Sequence, residues 1–183
     1  DYQIKSKGKI LTTGRSVGYG LGIGKAKIIS NLEDMYLIDE GDILVTDHTD
    51  PNWEPVMKKT AAIITDKGGR TCHAAIIARE LGIPAVVGCL DATTNIQDQS
   101  TISVSCAEGD QGFVYEGSME YELIVKNIES LPKINTKIMI NIGNPDRAFY
   151  FAQTPNEGVG LARIEFIINR MIGIHPNAIV NPQ

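Results

Sequence analysis

Short apolar runs separated by glycine, proline and acidic turns recur along the first two thirds of the chain. Lys25 to Ile29, Asp42 to Thr46, Ala61 to Thr65, Pro84 to Val87, Thr101 to Cys106 and Phe113 to Tyr115 are each three to six residues long and rich in branched side chains. Such runs favour strands, although periodicity alone does not separate a short buried strand from a buried helical segment. Two helices interrupt them. One spans Trp53 to Lys59, after the capping sequence Asp50-Pro51-Asn52. The other spans about Cys72 to Leu81, where Ala74, Ile77, Ala78 and Leu81 recur at i, i+3, i+4 and i+7 and form one apolar stripe, with Arg79 and Glu80 elsewhere on the surface. Thr71 is the candidate cap at its start. Gly82 suits the left-handed position beyond its end, and Pro84 prevents continuation.

The ends of the chain are patterned differently. Residues 1–12 show little apolar periodicity and read as a linker. The glycines of Gly18 to Gly24 read as turns and strand edges, and NIESLPKIN, Asn127 to Asn135, reads as a second linker. The predicted division is therefore a linker over 1–12, a domain over 13–126, a linker over 127–136 and a further piece over 137–183. That piece offers a strand (Ile138 to Ile142), a helix (about Asp146 to Gln153) and an apolar stretch, Ala162 to Ile172.

Composition removes several functional classes. The net charge of −5 argues against a general nucleic-acid binder. No apolar run approaches the length of a membrane span and the polar start lacks a signal-peptide core, so a cytoplasmic location is expected, with no membrane partner. The three cysteines, Cys72, Cys89 and Cys106, are odd in number and contain no CxxC pair, which suits reduced thiols better than a disulfide framework or a zinc site.

The chemistry concentrates around His73. Ala61 to Cys89 reads as a buried strand, the turn Asp66-Lys67-Gly68-Gly69, and a helix with His73 in its first turn. The unpaired amides of a helix start favour an anion. Gly68 and Gly69 let the backbone approach a phosphate, and Arg70 adds a forked cation. A neutral imidazole is a competent nucleophile toward phosphorus, and the phosphoramidate it forms is labile enough to be passed onward. The plain alternative is a helix-start histidine satisfied by a nearby carbonyl, the commoner case for an isolated histidine; here the glycines, the arginine and the cap favour phosphoryl chemistry.

The run TDKGGRTCHAAIIARELGIPAVVGC, Thr65 to Cys89, resembles the phosphohistidine signature of the phosphoenolpyruvate-utilising enzymes, whose shared core is GG-x-T-x-H. The cysteine before the histidine resembles the pyruvate, water dikinase (synthase) branch. TDPNWEPVMKKTAAIIT upstream and INIGNPDRAFYFAQTPNEGVGLARIEFIINRMIGIHP downstream are similar to that branch too, so the resemblance covers nearly the whole chain. It implies an α/β fold, with a swivelling β/β/α phosphohistidine domain followed by a truncated fragment of a TIM-type barrel that binds phosphoenolpyruvate and pyruvate. It also implies that His73 is phosphorylated from ATP and that the phosphoryl group passes to pyruvate. The sum reaction would be ATP, pyruvate and water to AMP, phosphoenolpyruvate and phosphate. Arg70 and Thr49 would serve His73, with Thr49 hydrogen-bonded to its ring. Gly68, Gly69 and Thr71 would support the phosphoryl site, and Arg163, in GLARIEF, would contact the substrate phosphoryl group. Mg2+ and ATP would belong to the full-length enzyme, with no cofactor or metal held by this chain, which alone is expected to be inactive. The partners implied are the nucleotide-binding and barrel domains.

Other constellations carry less. Gly18, Gly20, Gly22 and Gly24 complete no G-x-G-x-x-G, and Ala26 breaks the phosphate-loop pattern. Cys72 and His73 are sequential on a helix and do not face one another, so Cys72 is expected to pack on the core. His48 and His175 are expected on the surface, the carboxylates Asp39, Glu40, Asp42, Asp47 and Asp50 on a solvated face, and Trp53 with Met57 in a core or domain contact. Another phosphotransferase of the family, a stand-alone phosphoacceptor and a purely structural module remain as alternatives. Because 47 residues cannot build a whole barrel, residues 137–183 are expected to fray, to borrow a face of the first domain, or to pair in a homodimer.

Overall fold

Strands with no polar face need two covers, and the fold supplies both. The computed structural model describes residues 1–125, 134–143, 148–164 and 168, and the chain forms two compact units, Asp1–Val125 and Lys126–Gln183. In the first unit the elements follow as β1 (Tyr2–Ser6), β2 (Ile10–Val17), β3 (Leu21–Ile28), β4 (Ile43–Thr46), α1 (Glu54–Met57), β5 (Ala62–Thr65), α2 (His73–Leu81), β6 (Ala85–Val87), α3 (Ala92–Asn95), β7 (Thr101–Ser105), β8 (Gln111–Glu116) and β9 (Glu120–Leu123). Seven of these strands close a barrel in the order β2-β6-β5-β4-β3-β7-β8.

The pairs β3–β4, β4–β5 and β5–β6 are parallel, and the other barrel pairs are antiparallel. Along β4, β5 and β6 the side chains alternate between two apolar clusters. Ile43, Val45, Ile64 and Val86 point into the barrel with Ala26, Ile102, Val104 and Val114. Leu44, Ile63, Ala85 and Val87 point outward against Trp53, Val56 and Met57 before and on α1, and against Ala74, Ala75, Ile77 and Ala78 of α2. Burial on both faces explains why these strands read as unbroken apolar runs.

The two helices predicted for this unit form close to their expected places, and α3 is one that the sequence reading did not foresee. Asp50 accepts from the Asn52 amide at 2.8 Å and starts a turn of 3-10 helix, Pro51–Trp53, that leads into α1. Gly82 closes α2 with φ of +73°. The cap of α2 differs: the extended cap position falls on Cys72, one residue after Thr71, and no side chain hydrogen-bonds there.

Three further expectations are corrected. The opening segment is not a linker, because β1 pairs with β9 and β2 is central to the barrel, pairing with both β6 and β8. Nor are the glycines confined to turns and strand edges. Gly18 and Gly20 turn between β2 and β3, but Gly22 lies inside β3, where a Cβ would stand 2.6 Å from the Ala61 carbonyl oxygen. Asp42 is buried rather than solvated, accepting from the Asp39 amide at 2.9 Å and lying 3.9 Å from the Lys27 ammonium.

In the second unit, β10 (Ile140–Ile142) pairs in parallel with β11 (Val159–Ala162), and α4 (Ala148–Ala152) connects them. Most of the predicted apolar stretch Ala162 to Ile172 lies outside the described residues.

Candidate functional site

The carboxyl ends of β4, β5 and β6 lie on one rim of the barrel, since Thr46 is in register with Thr65 and Thr65 with Val87. Each strand there releases a loop. The loop after β4 carries Asp47, His48 and Thr49, the loop after β5 leads through Lys67, Gly68 and Arg70 to His73, and the loop after β6 begins with Gly88. Register alone therefore gathers residues from three separated stretches.

His73 is the first residue of α2 and is half-buried. Its Nδ1 lies 3.2 Å from the Thr49 hydroxyl oxygen. That bond fixes the ring and leaves Nε2 as the nitrogen available for chemistry. Beside the ring, a cleft of about 380 Å³ is lined by His48, Thr49, Thr65, Lys67, Gly68, Cys72 and Ala74. The turn leading to it is tight. Gly68 adopts φ of +111°, and a Cβ there would approach Cys72 Sγ to 2.8 Å. Gly69, by contrast, has open space where its Cβ would be. Thr71 is exposed.

Charge on this rim is arranged in pairs. Asp47 accepts from the Lys67 ammonium at 2.8 Å and lies 2.9 Å from His48 Nδ1. Lys67, and then His48, hold its carboxyl below the usual carboxylate range. Arg70 does not stand free toward the helix start: its Nη2 donates to the Asp110 carboxylate at 2.7 Å and to the Asp110 carbonyl at 3.2 Å.

Several residues that order the site escaped the sequence reading. Asp66 is buried and accepts from the Ala92 amide at 2.5 Å and from the Thr93 amide and hydroxyl, so it ties the His73 turn to α3. Only its place next to the paired glycines hinted at this. Asp110 lies 40 residues from Arg70 and had no local signal. The expectations for Cys72 and Trp53 hold, since both pack in the outer apolar cluster. His48 is exposed as expected, yet it lines the cleft. Burial pushes the Cys89 thiol up to about 12, with the Asp66 charge adding to it, which removes it as a nucleophile near neutral pH. Arg163 lies in the second unit, immediately after β11, and its amide donates to the Ile142 carbonyl at 2.8 Å. His175 is outside the described residues.

Among the described residues, no group of three or more His, Cys, Asp or Glu could hold a metal ion. No described helix is long and apolar enough to cross a membrane.

Residues 38–109 match the family described as the mobile domain of the PEP-utilising enzymes. Over 180 residues, 98% of this chain, the chain is 58% identical to a phosphoenolpyruvate synthase of Pseudomonas aeruginosa. It is 58% identical over 179 residues to the Escherichia coli protein of that name, and 40% identical over 186 residues to that of Aeropyrum pernix. The chain spans less than a quarter of these relatives' length, 23% for the first two. A solution structure of Enzyme I aligns with 45% of the chain at 34% identity, but its TM-score of 0.37 is too low to compare folds.

Proposed function

From a chain that belongs to the phosphoenolpyruvate-utilising enzymes and carries their mobile domain over residues 38–109, we propose a phosphoryl carrier whose acceptor is Nε2 of His73. The observation that carries this reading is the 3.2 Å contact between Thr49 Oγ1 and His73 Nδ1. With its proton on Nδ1 and donated to Thr49, the imidazole presents a lone pair at Nε2. Attack by that lone pair forms an N–P bond while the P–O bond to the donor breaks and the donor leaves with the electron pair. Onward transfer reverses the pattern: the N–P bond breaks as an acceptor oxygen attacks, and the neutral imidazole is restored.

Gly68 and Gly69 keep the approach to the ring clear, Thr71 is near enough in sequence to offer its hydroxyl, and Arg70 supplies a cation to the transferring oxygens once it leaves Asp110. Preformed donors and cations aimed at developing charge are a main source of rate in phosphoryl transfer.

By the same proposal, the longer protein is a pyruvate, water dikinase. His73 accepts a phosphoryl group that originates in ATP and delivers it to the enolate oxygen of pyruvate, and ATP with Mg2+ is held by a nucleotide-binding domain beyond this chain. A cytoplasmic location belongs to this reading as well. The parallel strand–helix–strand unit β10-α4-β11 is the repeat from which an α/β barrel is made. Residues 137–183 are thereby read as the opening of the pyruvate-binding barrel, with Arg163 as a contact for the phosphoryl group.

The test is to incubate the chain with labelled ATP and the remaining domains of a relative, supplied in trans. An acid-labile label is expected on the chain and is expected to vanish in His73→Asn. Full labelling of the His73→Asn protein would overturn the assignment.

A further inference from the structure

The rim that bears His73 holds a second recess. Val87 is in register with Arg15, and Arg15 with Gln111, so β2 and the start of β8 cross the level at which the parallel strands end. Here a cleft of about 380 Å³ is lined by Gly14, Arg15, Gly88, Asp110 and Gln111. It adjoins the turn leading to His73, because a Cβ added to Gly88 would stand 2.8 Å from the Gly68 carbonyl oxygen.

The charges in this recess are unequally matched. Its carboxylate, Asp110, is taken by Arg70 at 2.7 Å. The Arg15 guanidinium is exposed and makes no hydrogen bond or ion pair among the described residues. The recess thus holds one cation without a partner among the described residues, Arg15, and one carboxylate engaged by Arg70. The Arg70–Asp110 pair is itself solvent-exposed, with side chains 44% and 89% accessible, and exposed pairs of this kind are weak and readily exchanged.

We propose that this recess is an anion subsite, which takes a phosphate group of the molecule that exchanges phosphoryl groups with His73. Arg15 is its resident cation. Asp110 occupies the place of the anion in the unliganded chain, and a phosphate dianion, carrying more charge and more acceptor oxygens than one carboxylate, draws Arg70 from it. The proposal deepens the carrier reading and rests on it for the identity of the ligand class. The dianion has two sources, the polyphosphate of a nucleotide or the phosphate of phosphoenolpyruvate.

Binding to the whole chain, read from amide shifts of Gly88 and Gln111 at constant ionic strength, separates these sources. One arm uses inorganic pyrophosphate and the other phosphoenolpyruvate. In the arm that supplies the ligand, Arg15→Gln is expected to weaken binding by about tenfold or more, the scale of one charge-assisted contact. Asp110→Asn is expected to tighten it several-fold. Undiminished binding by Arg15→Gln in both arms, or no binding of either anion, overturns the subsite. Absence of any gain in Asp110→Asn overturns the placeholder role of Asp110. Labelling of His73 is measured separately, so a labelled His73 with an indifferent Arg15 sinks the subsite and spares the carrier.

Discussion

The two units both contain parallel strands rich in Val, Ile, Leu and Ala, yet they treat them oppositely. Every residue of β4, Ile43–Thr46, is buried, whereas every residue of β11, Val159–Ala162, is exposed. Residue by residue, Ile63 of β5 is 0% accessible, while Leu161 of β11 is 55% and Phe149 of α4 is 87% accessible. Composition alone therefore does not decide burial. In the first unit a closed barrel and the helices outside it cover both faces of each parallel strand, and the described residues of the second unit offer only a two-stranded sheet and one short helix. Isolated pairs of strands are marginal in water, and ordering a residue costs about 1 to 2 kcal/mol of backbone entropy that burial must offset. The rim that holds His73 belongs to the unit with the finished core.

The sharpest way to break this comparison is truncation in both units. Ile63→Ala should cost about 2 to 5 kcal/mol of unfolding free energy, since it opens a cavity in a packed cluster. Leu161→Ala should stay within about 0.5 kcal/mol, as an exposed substitution does. Denaturant titration followed by Trp53 fluorescence reads the first unit, where Trp53 sits in the outer apolar cluster, and hydrogen exchange at the β11 amides along the same titration reads the second. Equal losses would remove the distinction between the units.

Asp66→Ala sharpens the comparison at the rim itself. The buried carboxylate accepts from Ala92 and Thr93, and deleting it leaves buried donors unpaired at about 1 to 3 kcal/mol. Thermal unfolding should show this loss, and an unchanged midpoint would mean that Asp66 does not tie the His73 turn to α3.

Leu90 works in the opposite direction. It is 85% accessible and holds φ of +73°, a backbone state that suits glycine. Leu90→Gly should therefore stabilise the first unit by about 1 kcal/mol through relief of that strain, less the added chain entropy. A lower midpoint would show that the leucine side chain holds the loop.

The smallest effect concerns pH. Burial would raise the Glu108 carboxyl, but hydrogen bonds from Lys7 and Tyr115 outweigh it and hold the group below the usual glutamate range. A depressed carboxyl contributes stability above its unfolded-state value and loses it as the pH falls through the folded-state value. The midpoint should thus decline on acidification below the ordinary glutamate range, and Glu108→Gln should flatten that part of the decline.

Legibility in the sequence followed the range of the interactions. The stripe on α2, the Gly82 terminus and the buried runs of β4, β5 and β6 are local patterns, and they were readable. The Thr49–His73 pairing entered through a family resemblance, since 24 positions separate the two residues. What stayed hidden depends on distant partners. Tyr2 to Ser6 gains its strand by pairing with Glu120 to Leu123. Arg70 meets Asp110 across the rim, and Asp66 buries its charge only because α3 brings amides to it. The cap of α2 failed for a smaller reason, since the extended residue fell on Cys72 rather than Thr71.

The central claim is that one nitrogen of one histidine on the finished barrel carries the phosphoryl group. Nitrogen–phosphorus coupling in an NMR spectrum of the phosphorylated, 15N-labelled chain tests it directly. With Nδ1 engaged by Thr49 at 3.2 Å, phosphorus is expected on Nε2 of His73. Phosphorus on Nδ1 of that ring, or on any other residue, would contradict the account.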